Sequence, residues 1–131
     1  MCIRDRGLVA SRLKEKFFRP TLAFAPASDD EIRGSGRSIP DVHLRDALDL
    51  VSKRHPGLIR KFGGHAMAAG LTLAREDFEN FVPAFDAAVI ELTGRSSFEP
   101  TIETDGSLES GFANAHVAGM LAQEVLSLIH I

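Results

Sequence analysis

The residues best equipped for chemistry lie in one run, Phe62-Gly63-Gly64-His65-Ala66-Met67-Ala68-Ala69-Gly70. Gly63 and Gly64 carry no Cβ, so the backbone can take positive φ and a ligand can approach its N–H groups closely. His65 follows with two ring nitrogens able to donate or accept. Such a turn can receive an anion, or it can simply feed a buried strand, Gly70–Leu73, with a satisfied histidine. The residues alone leave both readings open.

A second stretch, Gly34-Ser35-Gly36-Arg37-Ser38, falls in a strand expected over Ile32–Ile39 and ended by Pro40. Glycine in a strand marks close approach of a ligand or of another backbone. Arg37 beside the Ser35 and Ser38 hydroxyls offers a planar fork of donors suited to phosphate. An ordinary edge strand is the plain alternative.

Nothing else in the chain assembles a reaction centre. His43, His55, His65, His116 and His130 are scattered, and Cys2 is the single cysteine. Metal sites need several convergent ligands, so neither a metal site nor a catalytic residue is assigned. No nucleophile–base pair and no GxxxxGK loop is present.

Composition bounds the rest. A chain of 131 residues, 44% hydrophobic, buries one core and hardly two. No apolar run approaches membrane-spanning length. Met1–Arg6 is too short and polar for a secretory signal, so a cytoplasmic location without membrane attachment is expected. Net charge is −3. Between Arg33 and His65, however, seven basic residues face three acidic ones, a local +4 that leaves −7 for the remainder. A basic face on an acidic domain is compatible with a phosphate-tracking groove, and equally with solvated helix surface.

The elements that must position these residues alternate. A helix over Leu8–Phe18 has Val9, Leu13 and Phe17 as its apolar stripe, and Pro20 stops it. Thr21–Ala25 reads as a strand before an acidic loop. Asp41 is placed to cap a helix over Val42–Arg54 that buries Leu44, Ala47, Leu48 and Val51, ended by His55-Pro56-Gly57. A helix over Glu76–Leu92 presents Phe78, Phe81, Val82, Phe85, Val89 and Leu92 to the core. Pro83 inside it predicts a kink or a later start. Thr101–Gly106 reads as an exposed strand and Ser110–Val125 as a helix.

Both ends look foreign. Met1–Arg6 can be encoded by ATG TGT ATA AGA GAC AGx and Leu126–Ile131 by CTG TCT CTT ATA CAC ATC, which are complementary over their shared length. This resembles a sequencing adapter read through in frame. Residues 1–6 and 126–131 are therefore set aside from fold reasoning, and 7–125 are read as an internal piece of a longer protein.

GGHAMAAG resembles the GGH-x-x-AAG signature of the DHH-associated domain, the second domain of DHH phosphoesterases. Gly7–Leu13, Arg19-Pro20, Gly34–Pro40 and His43–Leu48 occur in the order seen in RecJ-type exonucleases. The resemblance implies an α/β fold, a small mixed β-sheet flanked by helices, over residues 7–94. Residues 95–125 would be a linker and the incomplete strand–helix start of an OB-type domain. It also implies the substrate-binding part of a metal-dependent enzyme that degrades single-stranded DNA from the 5′ end in repair and recombination. Ser35, Arg37, Ser38, Gly63, Gly64 and His65 match its substrate-phosphate region. Mn2+ or Mg2+ would sit in a DHH domain absent here, so this piece would be inactive alone, with single-stranded DNA and that domain as its partners. Two other functions fit the same motif: a DHH-family phosphodiesterase for short oligonucleotides or cyclic dinucleotides, and a non-catalytic nucleic-acid-binding module.

Overall fold

A computed structural model describes residues 3–101, 106, 107 and 109–124. The chain divides into two compact units, Met1–Pro100 and Thr101–Ile131. In the first, helix α1 (Ile3–Phe17) precedes a hairpin of β1 (Thr21–Pro26) and β2 (Glu31–Arg37). Helix α2 (Leu44–Arg54), a second hairpin of β3 (Lys61–Gly64) and β4 (Ala68–Ala74), and helix α3 (Phe78–Thr93) follow. In the second unit, the described residues form a 3₁₀ turn (Ser110–Phe112) and α4 (Ala115–Glu124). Most of the strand expected over Thr101–Gly106 lies outside the described residues.

The four strands are ordered β1-β2-β4-β3, and every pairing is antiparallel. The expected α/β layering is present, but the sheet is antiparallel rather than mixed. The reason is topological. Both hairpins are necessarily antiparallel, and β4 enters beside β2 running against it.

Alternation along the strands separates two faces. Ile32, Gly34 and Gly36 of β2 and Ala69, Leu71 and Leu73 of β4 are buried on one of them. They join Leu44, Ala47, Leu48 and Val51 of α2 and Phe81, Ala84, Phe85, Ala88 and Val89 of α3 in the core. The α2 stripe is the one its periodicity predicts. Phe24 anchors the β1 side edge-to-face against Phe78 and Phe81, with centroids 5.1 and 5.8 Å apart.

The glycines of β2 have a packing reason. A Cβ on Gly34 would lie 2.6 Å from Leu71 Cδ2 and 2.7 Å from Phe24, and one on Gly36 would lie 2.6 Å from both Leu22 and Leu44. They admit core side chains, not a ligand.

Helix α1 departs from its pattern in two ways. It begins at Ile3, so it includes residues set aside as adapter-like, and Arg6 is buried. Its packed face is Arg6, Gly7 and Ala10, whereas Val9, Leu13 and Phe17 are exposed. Small residues win here because α1 lies close to the sheet: a Cβ on Gly7 would sit 2.9 Å from the Arg37 guanidinium.

Two other expectations are corrected. His43, not Asp41, caps α2, its Nδ1 accepting from the Asp46 N–H at 3.3 Å, while Asp41 pairs with Arg95 at 3.1 Å. Val82 and Leu92 of α3 face solvent. Pro83 is accommodated because α3 starts at Phe78 and both Pro83 and Glu79 are exposed, so water can replace the bond lost at the Glu79 carbonyl.

Candidate nucleic-acid interface

The second sheet face carries Arg33, Ser35 and Arg37 of β2, Ala68, Gly70 and Thr72 of β4, and Lys61 and Gly63 of β3. The register aligns them in rows: Arg33–Thr72–Lys61, Ser35–Gly70–Gly63, and Arg37–Ala68. Helix α1 covers only the β1–β2 half. Arg6 Nη1 donates to the Arg33 carbonyl at 2.9 Å, and the Arg37 guanidinium packs against Gly7. The remaining half is an open groove of about 280 Å³, lined by Arg6, Arg33, Ser35, Lys61, Gly70 and Thr72 with neighbouring backbone.

The charge on this face is unbalanced. Arg33 and Lys61 are exposed. Among the described residues neither they nor Arg37 forms an ion pair. Other cations of the same basic segment are committed elsewhere: Lys53 to Asp49 at 2.6 Å, Arg54 to Glu91, and Arg60 to Glu31 at 2.8 Å. The Asp49 hydrogen bond and charge hold the Lys53 ammonium above its usual pKa. The basic excess of residues 33–65 therefore divides between helix and loop cations, of which Lys53, Arg54 and Arg60 are paired, and a sheet face whose cations form no ion pair among the described residues.

The site residues expected from sequence separate accordingly. Ser35 and Gly63 meet in one row through Gly70. Arg37 and His65 lie at the same end of the sheet: Arg37 pairs with Ala68, whose carbonyl accepts from the His65 N–H at 2.8 Å. Gly63 and Gly64 belong to β3 rather than to the turn, which is His65–Met67. Gly64 points to the core face and has φ +142°, where a Cβ would strike Ala69. His65 itself is exposed.

Ser38 is corrected outright. It is 1% exposed and its Oγ donates to the Val42 carbonyl at 2.6 Å, while its N–H holds the Met67 carbonyl at 2.9 Å. With Leu44 N–H on the Ala66 carbonyl at 2.8 Å, it ties the His65 turn to the β2–α2 junction. It positions the turn and has no free surface for a phosphate.

Residues 5–91 match the model of the DHHA1 domain. The chain belongs to the DHHA1 domain family. It is 49% identical over 117 residues to the single-stranded-DNA-specific exonuclease RecJ of Dickeya dadantii, covering 89% of this chain and 20% of that protein. It is 45% identical over 115 residues to RecJ of Escherichia coli, covering 88% of this chain and 20% of that protein. The chain thus spans about one fifth of these relatives. A crystal structure of RecJ from Thermus thermophilus in complex with Mg2+ superposes with a TM-score of 0.52 at 28% identity, over 81% of this chain and 15% of that one.

Within this DHHA1 domain, Arg33, Lys61, Gly70 and Thr72 are groove residues that motif reasoning passed over. Their signal was parity: Arg33 lies two before Ser35 and Lys61 two before Gly63, so each shares the face of a residue already singled out. A divalent metal does not fit this donor set, since among the described residues no three His, Cys, Asp or Glu side chains converge. No described helix is long and apolar enough to cross a membrane.

Proposed function

We propose that this chain is the strand-holding domain of a RecJ-like exonuclease that degrades single-stranded DNA from its 5′ end. The observation that carries it is the open sheet face on which Arg33 and Lys61 form no ion pair among the described residues and stand beside Ser35, Gly63 and Gly70. Cations so placed neutralise successive phosphates and release their counterions. The β-sheet fixes the backbone from which they project, so the ordering required on binding is confined to the side chains. The chain's own contribution is positioning and charge stabilisation. Bond breaking, and the Mn2+ or Mg2+ it uses, are assigned to a DHH domain of the parent protein. The 131-residue chain alone is accordingly expected to bind strands without shortening them. The cytoplasm, where chromosomal DNA is reached, is the matching location.

The test is fluorescence anisotropy with a labelled single-stranded oligodeoxynucleotide. Reversing the sheet cations together (Arg33→Glu with Lys61→Glu) should abolish binding. Reversing two α2 cations (Lys53→Glu with Arg54→Glu) should weaken it only slightly. Equal losses from both pairs, or no binding by the unmodified chain, would overturn the assignment.

A further inference from the structure

Helix α3 and the turn leading into it carry much of the negative charge that the strand-holding face leaves unexplained. Glu76, Asp77, Glu79, Asp86 and Glu91 lie between Glu76 and Gly94, a span without Lys or Arg. Among the described residues, Glu91 alone of these acids forms an ion pair, with Arg54. Glu76, Glu79 and Asp86 are exposed. The same helix exposes apolar side chains: Phe78, Val82 and Ile90 are 38%, 46% and 46% exposed. With Asp86 they stand at successive i, i+4 positions, one row along the helix. The row is about 18 Å long and flanks the buried Phe81, Phe85 and Val89.

Each end of the row opens into a hollow. At Phe78, one of about 220 Å³ is lined in part by Phe24, Pro26, Ile32 and Arg75. At Ile90, one of about 110 Å³ is lined in part by Pro20, Phe85, Val89 and Phe98. The cations around the second hollow are committed: Arg19 donates to the Ser96 carbonyl at 2.9 Å, and Arg95 pairs with Asp41 at 3.1 Å. Arg75, at the first, is outnumbered by Glu76, Asp77 and Glu79, which follow it in the chain. An exposed apolar patch rimmed by polar residues marks a protein–protein site. Anchors one helical turn apart, with a hollow at each end, suit a second helix laid along α3.

We propose that this flank of α3 docks a cationic amphipathic helix of a separate protein, its apolar side chains seated on Phe78, Val82 and Ile90 and its Lys or Arg residues facing Glu76, Glu79 and Asp86. Charge complementarity sets the sign of the partner and argues against two others. Residues 101–131 of the chain carry Glu103, Asp105, Glu109 and Glu124 and no Lys or Arg. A second copy pairing α3 with α3 would set acid against acid. Obligate interfaces are more hydrophobic than an acid-rimmed row of three residues, so the partner fitted here associates reversibly. Helix α3 packs on the core face of the sheet. The docking surface therefore leaves the strand-holding face free and does not depend on its function.

The probe is a labelled peptide of leucine and lysine that forms a helix with all its leucines on one side. A peptide of the same composition with the leucines scattered is the comparison. Anisotropy should show the amphipathic peptide bound, and the scattered one bound about 10-fold more weakly. Val82→Ser with Ile90→Ser should weaken the amphipathic peptide about 10-fold by removing its apolar seat. Glu79→Lys with Asp86→Lys should do the same by reversing the rim. Glu15→Lys with Asp46→Lys, the same change in charge on α1 and α2, should leave binding nearly unchanged. All these residues are exposed, so each variant should melt like the unmodified chain; if the serine pair melts early, the lysine pair on α3 decides. Equal binding of both peptides, or equal losses from the two lysine pairs, would reduce the face to a plain anionic surface and overturn the proposal. So would no binding of the amphipathic peptide. Self-association of the chain that Val82→Ser with Ile90→Ser abolishes would assign the row to a second copy and overturn it as well. A full-length parent that no longer takes the peptide would place one of its own domains there, against the separate partner.

Discussion

Salt dependence gives the sharpest test of the sheet face, because it counts contacts. Each phosphate neutralised on a single strand contributes about −0.7 to the slope of log affinity against log salt. If Arg33, Arg37 and Lys61 each neutralise one, the slope is about −2.1. Affinity then falls roughly 20-fold between 50 and 200 mM salt. Lys61→Ala removes one contact, so the slope should relax to about −1.4 and the loss over the same range to roughly 7-fold.

Lys53→Ala is the matched control. Its ammonium is exposed but already paired with Asp49 at 2.6 Å, and both side chains lie on α2, away from the sheet face. Its removal should leave the slope unchanged. The assay is anisotropy of one labelled oligodeoxynucleotide titrated at four salt concentrations. A Lys61→Ala slope equal to that of the unmodified chain would refute the reasoning. So would equal relaxation by Lys53→Ala, because binding would then follow net charge and not the groove.

Stability measurements separate the residues of the motif by role. Ser38→Ala should cost about 1–3 kcal/mol in urea unfolding, the range for a lost buried hydrogen bond that strands its acceptor; oligonucleotide affinity of the folded fraction should not change. Gly64→Ala should cost about 1–3 kcal/mol through its strained φ, with its close backbone contacts adding to that, again in urea. Gly34→Ala should also destabilise, by about 1–3 kcal/mol, through overpacking against Leu71 and Phe24. Arg6→Met should leave the melting temperature of the free chain unchanged or raise it, since an apolar replacement removes a buried charge whose Nε has no acceptor among the described residues.

Much of the fold was legible because it follows one period. Helix α2 shows Leu44, Ala47, Leu48 and Val51 at helical spacing, and they are its buried residues. The β1–β2 hairpin was marked by Pro26 and the acidic loop after it, which the structure closes with Ala27 and Ser28 N–H groups on the Glu31 carbonyl. Helix α1 was misread for a physical reason. Periodicity weighs side chains by size, but close approach of a helix to a sheet selects small ones, and Gly7 and Ala10 outcompete Val9, Leu13 and Phe17 for the contact.

The site divides on the same principle. Motif reasoning grouped residues by adjacency along the chain, which placed Ser38 with Arg37 and Gly64 with Gly63. A strand assigns neighbours to opposite faces. Gly64 therefore turns inward beside Ala69, while Gly63 faces outward and meets Ser35 across Gly70, a row spanning three strands. Ser38 lies beyond the end of β2, where alternation no longer applies and the chain bends toward α2. Which strands lie side by side is the fact that no local pattern contains. Given that order, parity alone selects Arg33, Ser35, Lys61, Gly63, Gly70 and Thr72 as one surface, and the cations there that form no ion pair among the described residues are what the proposed strand-holding role rests on.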